Sequence, residues 1–542
     1  MQRLIMICIL MALQFVPSIT FAQVSQDWIQ RFTSDSTRDE TVNDMFVDDQ
    51  GNVYVTGSQK GPNAAQLEAV TVKYNSNGVQ QWIQNYQSPT NNGAFGRAIY
   101  VDAAGFVYVT GENAMVSGGS NEALIVKYNP TGTQLWFYRF QYVNLSYAGG
   151  FDIITDLTGN VYVTGEYGNG GNNIFLIKFD PSGNLVGQTF YNSSSEGGRK
   201  IALDGTGKII ISGYVQDNDS LSFIALKYEQ NLDLVWASRW GQGVGNINPI
   251  DMVIDNNSNI IIAGTSNSDY VTVKIDPAGL VQWGKLYNSS AGSDKCRAVV
   301  KDNLGNIYIT GETGTSGLPQ TFNITTIKYS QDGNEIWLKE FNGDSANTYG
   351  YTGYDITIDD LANVYVIGQR YSNSDITTIK YNTAGSFQWA IYYNGLSNSQ
   401  DVPVAVGVDP NGNVFSTGNS FDAFSGYDIA IIKYVQTPAS VEDEENSLSS
   451  FTLEQNYPNP FNPSTKISWQ SPISSHQTLK VYDALGKEIA TLVNEEKPAG
   501  TYEIDFDAKN LSSGIYFYRI AIHSDKLTAG SFVETKKMIL LR

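Results

Sequence analysis

The stretch Gly51-Asn-Val-Tyr-Val-Thr-Gly57 decides the fold, because the chain writes it seven more times. It returns as GFVYVTG at Gly105–Gly111, GNVYVTG at Gly159–Gly165, GKIIISG at Gly207–Gly213 and SNIIIAG at Ser258–Gly264. GNIYITG at Gly305–Gly311, ANVYVIG at Ala362–Gly368 and GNVFSTG at Gly412–Gly418 complete the series. The mean spacing is about 52 residues, the size of one propeller blade. Around each heptad the same signals recur. A short apolar run ending in Asp (Ala98–Asp102, Asp355–Asp359) precedes a turn such as Asp156-Leu-Thr-Gly-Asn160 and then the heptad. A third run ends in Lys-Tyr or a relative, as in Lys73-Tyr74, Lys127-Tyr128, Lys328-Tyr329 and Lys380-Tyr381. A second turn (Asn129-Pro-Thr-Gly132, Asp276-Pro-Ala-Gly279) leads to a fourth run carrying Trp82, Trp136, Trp236, Trp283, Trp337 or Trp389; the copy near Leu185 lacks the tryptophan.

Short β-branched and aromatic runs parted by Asn, Asp, Pro and Gly are hairpins, since those residues accept turn backbone at low cost. Four strands per unit, eight times over, predict an all-β, eight-bladed β-propeller with four-stranded blades. The ends predict how the ring closes. The last Lys-Tyr run, Ile432-Lys433-Tyr434, has no tryptophan strand after it, whereas Asp27-Trp28-Ile29-Gln30-Arg31-Phe32 precedes the first heptad. The N-terminal strand should therefore complete the last blade and leave no open edge. The Asp-x-x-Gly-Asn turns lack the alternating acids and distal Glu of a calcium loop and read as plain hairpins.

Four segments follow. Residues 1–22 combine Arg3, a short apolar run and Thr20-Phe21-Ala22, the pattern of a signal peptide and too short for a membrane span. Residues 23–436 are the propeller. Residues 437–450 are a polar, acidic linker, and 451–542 a small β-sandwich with strand runs from Thr465–Trp469 to Ser531–Leu541. The net charge is −20, and 23–436 holds 40 acids against 23 bases, which opposes binding to nucleic acid. After removal of the leader only Cys296 remains, so no internal disulfide can form. Both histidines, His476 and His523, lie in the C-terminal module; the propeller therefore has neither a His-based triad nor a His-ligated zinc.

Aligning the innermost runs on their terminal Asp places Asp44, Asp152, Asp251 and Asp355 four residues back in alternate blades, and Arg97, Arg199 and Arg297 five back in three blades between them. The eighth blade has Val404 and Ala405 instead. Innermost strands line a propeller channel, so these residues are expected at its mouth, either as inter-blade salt bridges or as a site for a polar ligand or cation. No cofactor is expected, calcium being the one hard cation that four Asp side chains could serve. The longer connections fall on one common face and are rich in Asn, Ser, Gly and Tyr, as in Tyr86–Phe95, Tyr142–Gly149, Tyr191–Gly198, Phe341–Tyr351 and Tyr392–Ser399. Such a face suits carbohydrate or peptide, or else serves only to solubilise the ring.

The GNVYVTG and Lys-Tyr-Asn-x-x-Gly-x-x-x-Trp blocks resemble the bacterial SBBP-type propeller-repeat family, across nearly all of 23–436. That family's name implies seven blades, where this chain counts eight; the family is linked to binding or scaffolding. The module at 451–542 resembles the type IX secretion system (Por) C-terminal sorting domain through Asn456-Tyr457-Pro458-Asn459-Pro460-Phe461-Asn462-Pro463, Val481–Gly486, Ala499–Tyr502, Leu511–Phe517 and Lys536-Lys537-Met-Ile-Leu-Leu-Arg542. The resemblance implies a Gram-negative, Bacteroidetes-like cell, partnership with the type IX machinery, passage across the outer membrane, and display on the cell surface, commonly with cleavage and attachment to lipopolysaccharide. The expectation is a monomeric surface binding, adhesion or scaffold module and not an enzyme; the alternative is a secreted polysaccharide lyase or hydrolase on the same scaffold.

Overall fold

The computed structural model describes residues 23–541 apart from 34–38, 62–66, 89–92, 115–120, 142–146, 169–172, 193–195, 218–219, 242–244, 290–291, 316–320, 344–349, 372–373, 438–451, 472–474, 499 and 524–530. The signal peptide, the linker and parts of the long loops lie outside the described residues. Every regular element among those described is a β-strand, and Phe21–Gln436 and the C-terminal residues from Thr437 form two separate compact units.

The first unit contains eight four-stranded antiparallel sheets. Blade 1 is a meander of Glu40–Val47, Val53–Lys60, Leu67–Tyr74 and Gln80–Gln87, and the next six repeat it. The innermost strands touch in a circle: Glu40–Val47 packs on Ala94–Val101 on one side and on Asp401–Val408, the innermost strand of blade 8, on the other. Heptad side chains such as Val53, Tyr54 and Val55 are buried on both faces because each blade is covered by two neighbours. Each such Val contributes about 1.5–3 kcal/mol of burial.

Closure follows the sequence. The last sheet runs Gln23–Phe32, Gly426–Thr437, Val414–Asp422, Asp401–Val408, so the N-terminal strand is its outermost member. Arg31 locks it by pairing with Asp428 at 2.7 Å and donating to Tyr393 Oη at 3.1 Å and Ser420 Oγ at 3.0 Å.

The repeated motifs explain how blades hold one another. The Lys of the third strand and the Trp of the fourth both donate to one carbonyl in the next blade's second turn. Lys227 and Trp236 share Pro277 O (3.1 and 3.2 Å), and Lys328 and Trp337 share Thr383 O (3.2 and 3.3 Å). Lys433 and Trp28 share Ser76 O (2.9 and 3.1 Å), carrying the device across the point of closure. Blade 8 has no second turn, because its chain is cut there. The Gln436 side chain takes the place of the carbonyl: its Oε1 accepts from Lys380 at 2.5 Å and Trp389 at 3.4 Å, and its Nε2 donates to Gly412 O and Tyr365 Oη.

Two departures from the repeat are compensated locally. Where the heptad carries Tyr, its hydroxyl donates to the first-turn Asp (Tyr54 to Asp48, 3.1 Å) and the Lys lies over its ring (Lys73, 4.8 Å from the centroid). In the two copies with Ile there, Ile210 and Ile261, the Lys instead reaches that Asp directly, Lys227–Asp204 at 2.8 Å and Lys274–Asp255 at 3.0 Å. In the copy without tryptophan, Gly187 stands in its place. The next blade's turn glycine, which elsewhere lies against the Trp ring, is there Leu232, held at φ 72° with its side chain over Gly187. A left-handed leucine costs roughly 1–2 kcal/mol, which filling the missing tryptophan's space offsets.

The first-turn Asp residues are hairpin residues. Asp48 Oδ1 accepts from the N–H of Gln50 (3.0 Å) and Asn52 (2.8 Å), while Oδ2 takes Asn52 Nδ2 and Tyr54 Oη.

The second unit has a three-stranded sheet (Thr452–Leu453, Ser464–Ser471, Gly500–Asp507) and a four-stranded one ordered Glu488–Lys497, Ser475–Asp483, Gly514–His523, Ser531–Leu540. Ile467, Trp469, Leu479, Val481, Tyr518, Ile520 and Met538 share its core.

Candidate functional site

Each of the eight innermost strands slips register once, between Val42 and Asp44 in blade 1 and at the matching place in the others. The bulge residue is Asn43, Arg97, Phe151, Arg199, Ile250, Arg297, Tyr354 and Val404 in turn. The residue after it is Asp44, Ala98, Asp152, Lys200, Asp251, Ala298, Asp355 and Ala405. A bulge re-aims consecutive side chains, so the channel carries two tiers where simple alternation would give one.

In the inner tier, Asp44, Asp152, Asp251 and Asp355 alternate with small residues. Asp44 Oδ1 accepts its neighbour's N–H (Met45, 2.9 Å) and Oδ2 accepts the N–H of Ile99 in the next blade at 2.9 Å. The cross-blade bond recurs from Ile201 to Asp152 at 2.9 Å, Val299 to Asp251 at 3.0 Å and Val406 to Asp355 at 2.9 Å. Each carboxylate thus satisfies a backbone donor of the neighbouring innermost strand and staples blades together in pairs. One even blade departs from alanine. Its Lys200 enters the ring, with Nζ 3.9 Å from Asp251 and the charges of Asp152, Asp44 and Asp355 also acting on it. These carboxylates, Asp152 foremost, hold the Lys200 ammonium above the ordinary lysine value. Burial pushes Asp44 up to about 6 and Asp355 up to about 7, with Asp152 also raised; Lys200 acts in the opposite sense on all three. The positive charge that four carboxylates invite is therefore supplied by the chain itself. No cluster of three or more His, Cys, Asp or Glu side chains suited to a metal occurs among the described residues.

The outer tier holds the arginines, and they do not pair with the Asp ring. Arg97 Nε donates to Glu112 Oε1 at 2.9 Å within its blade; Arg199 reaches Glu166 of the preceding blade at 3.1 Å. Arg297 and Lys295 both approach Glu312, at 3.8 and 3.1 Å. Phe151 lies between two guanidinium groups, 4.6 Å from Arg97 and 4.7 Å from Arg199. Thr41, Asn43, Ser58, Phe95, Arg97 and Phe151 line a cavity of about 490 Å³ at this mouth. Lys200 and the three Glu residues went unnoticed in the sequence. The signal for the latter was present, as a Glu directly after the heptad in copies 2, 3 and 6. Cys296 is fully buried, and burial pushes its thiol up to about 12, which disfavours the thiolate.

In the C-terminal unit the motif Asn456–Pro463 lies along the last strand. Phe461 is buried; its N–H donates to Ile539 O (2.9 Å) and its carbonyl accepts from Leu541 (3.0 Å). Asn459 Oδ1 accepts from Ile539 N–H at 2.9 Å, and Gln455 Nε2 donates to Lys537 O at 2.8 Å. Asn456, also buried, donates to Thr465 Oγ1 at 2.9 Å. The two ends of the signature, Asn456–Pro463 and Lys536-Lys537, are thus one structural feature. Tyr457 projects from it, 81% exposed.

Comparison with known proteins agrees with both units. Residues 455–534 match the secretion system C-terminal sorting domain, and 282–319 match the beta-propeller repeat. No curated protein matches the chain. Among solved structures, PorZ, a surface component of the type-IX secretion system of Porphyromonas gingivalis, aligns at 10% identity and TM-score 0.32, covering 93% of this chain and 87% of that one. A Bacteroides caccae protein of unknown function aligns at 11% and 0.32 (50% and 89%), and Drosophila Plexin A with Semaphorin 1b at 8% and 0.39 (76% and 88%). These likenesses are too distant to bear on function. The sorting domain marks the chain for type IX secretion to the cell surface or beyond, through contact with that machinery. The chain thus carries an SBBP-type beta-propeller repeat at 282–319 and a type IX (Por) secretion system C-terminal sorting domain at 455–534.

Proposed function

We propose that the propeller is a non-catalytic binding module, carried outside the cell by its C-terminal domain, that takes a polar ligand at the mouth of its channel. The observation that supports this most is the 490 Å³ mouth cavity, where two phenyl rings and a guanidinium stand among Thr41, Asn43 and Ser58. Such a mixture offers flat apolar faces and directional donors together, the combination that orients a glycan or peptide. The bulges that build it are held by the Asp staples, so the site is rigid before any ligand arrives. The ring of four Asp and Lys200 serves in this reading as structure, with no cation needed, and the protein works as a monomer fixed at the surface of a Gram-negative cell.

The test is to screen the purified full chain against immobilised glycans and extracellular-matrix proteins, with product analysis by mass spectrometry. Binding that weakens at least tenfold in Arg97→Ala, with no product released, is the expected result. Release of shortened glycan would overturn it in favour of a polysaccharide-degrading enzyme. Binding that ignores Arg97→Ala would remove the mouth as the site.

A further inference from the structure

The rim between blades 6 and 7 carries a second concavity. A groove of about 810 Å³ opens there between two neighbouring outer strands, Glu335–Phe341 and Phe387–Tyr393. Its wall includes Phe387 and Tyr392, which are 41% and 42% exposed. Phe387 is nevertheless fixed: it stacks on Phe341 (centroids 6.0 Å, planes 19° apart) and meets Tyr381 edge-on at 6.3 Å. The repeat supplies an internal standard for these positions. Two residues before the strand tryptophan, where blade 7 has Phe387, blades 1 and 2 have Gln80 and Gln134; three after it, where blade 7 has Tyr392, blades 2 and 4 have Arg139 and Arg239. No other blade places an aromatic at both positions, and the latch that fastens blade 7 to its neighbours uses neither.

We infer that this groove binds a neutral oligosaccharide, with Phe387 and Tyr392 as the platform for a pyranose face. Aromatic faces pack against the C–H side of a sugar while amides and carboxylates along the edge take its hydroxyls. Glu340, Asn342 and Gln388 line the groove and supply both acceptors and donors. Its one ammonium, Lys339, is matched by the one carboxylate, Glu340, so the site has no net charge with which to select an acidic or basic ligand. The groove's size falls in the range of small-ligand sites, and it is open along one side, so a longer chain could pass through it.

The test uses the full chain and three probes, cellohexaose, xylohexaose and laminarihexaose, by isothermal titration calorimetry. At least one probe should bind, at least tenfold more weakly in Phe387→Gln and in Tyr392→Asn, and within twofold of wild type in Phe387→Tyr. Phe137→Gln changes a comparably exposed ring on the outer strand of blade 2 and should leave affinity unchanged. Failure of all three probes to bind the wild-type chain overturns the inference, as does equal affinity in the Phe387→Gln and Phe387→Tyr variants. Because the mouth lies at the channel and the groove at the rim, Arg97→Ala separates the two sites: rim binding that disappears with it also refutes the assignment.

Discussion

Replacing Lys200 by alanine, the residue that the other even blades carry, should destabilise the propeller in a way that depends on pH. At 3.9 Å an ion pair is worth about 4 kcal/mol at an effective dielectric of 20. Channel water reaches both partners, whose side chains are 41% and 23% exposed, and this draws the figure toward the value of about 1 kcal/mol for open pairs. Three further carboxylates lose the same counter-charge, so a deficit of about 2 kcal/mol is expected at pH 8. Lys200 is held above the ordinary lysine value, so its charge is constant between pH 5 and 9 and contributes no slope there. The slope comes from the acids. Asp44 and Asp355 sit at about 6 and about 7, above their unfolded values, so their ionised forms weaken the fold at pH 8 and their protonation strengthens it as pH falls through that window. Without Lys200 both take up protons earlier, so the share of the variant's deficit that these two carry should be lost as pH falls from 8 to 5. Urea unfolding followed by tryptophan fluorescence reads this directly, since eight of the nine tryptophans lie in the propeller. A deficit that is flat with pH, or that grows toward pH 5, would refute the electrostatic account.

Calcium at millimolar concentration should leave the wild-type melting temperature unchanged but raise that of Lys200→Ala, in which the four carboxylates have lost their internal cation; stabilisation of the wild type would show that the ring takes a metal after all. Gln436→Ala removes the amide that stands in for a turn carbonyl, and should cost about 1–3 kcal/mol and speed amide hydrogen exchange in Gly426–Thr437. Gly187→Trp and Leu232→Gly should each destabilise alone, yet together restore the pattern of the other blades, giving a coupling above about 1 kcal/mol in a double-mutant cycle; simple additivity would refute the exchange. Deleting 451–542 should leave the protein in the periplasm on cell fractionation, and undiminished surface display would contradict the sorting role.

The fold was legible because a propeller repeats one solution, and eight imperfect copies reveal which positions matter. The heptads gave the buried second strands, and the orphaned segment around Trp28 gave the closure. The channel was half legible. Alignment finds the Asp and Arg positions but gives them as one ring, although a strand of simple alternation would place residues four and five back on opposite faces. The bulge that sends both sets to the channel is a backbone event with only a broken signature, Gly or Pro ahead of it in six copies (Gly96, Gly150, Gly198, Pro249, Gly353 and Pro403) but Val42 and Cys296 in the other two. Lys200 was invisible for a related reason. It lies one residue beyond Arg199, and a lone lysine among alanines acquires meaning only when four other blades set carboxylates around it. The partner of Arg199, Glu166, belongs to the preceding copy, so comparing positions within a copy could not join them.

The exchange of Gly187 and Leu232 has a consequence for how such rings descend. The matched residues sit on the outer strand of one blade and in the turn of the next, so neither blade is self-sufficient. Shuffling genes by whole blades would part the two and leave a void on one side and a strained leucine on the other. The portion that can be copied or transplanted intact is instead a frame straddling the boundary between two blades, out of step with the sheets seen by eye.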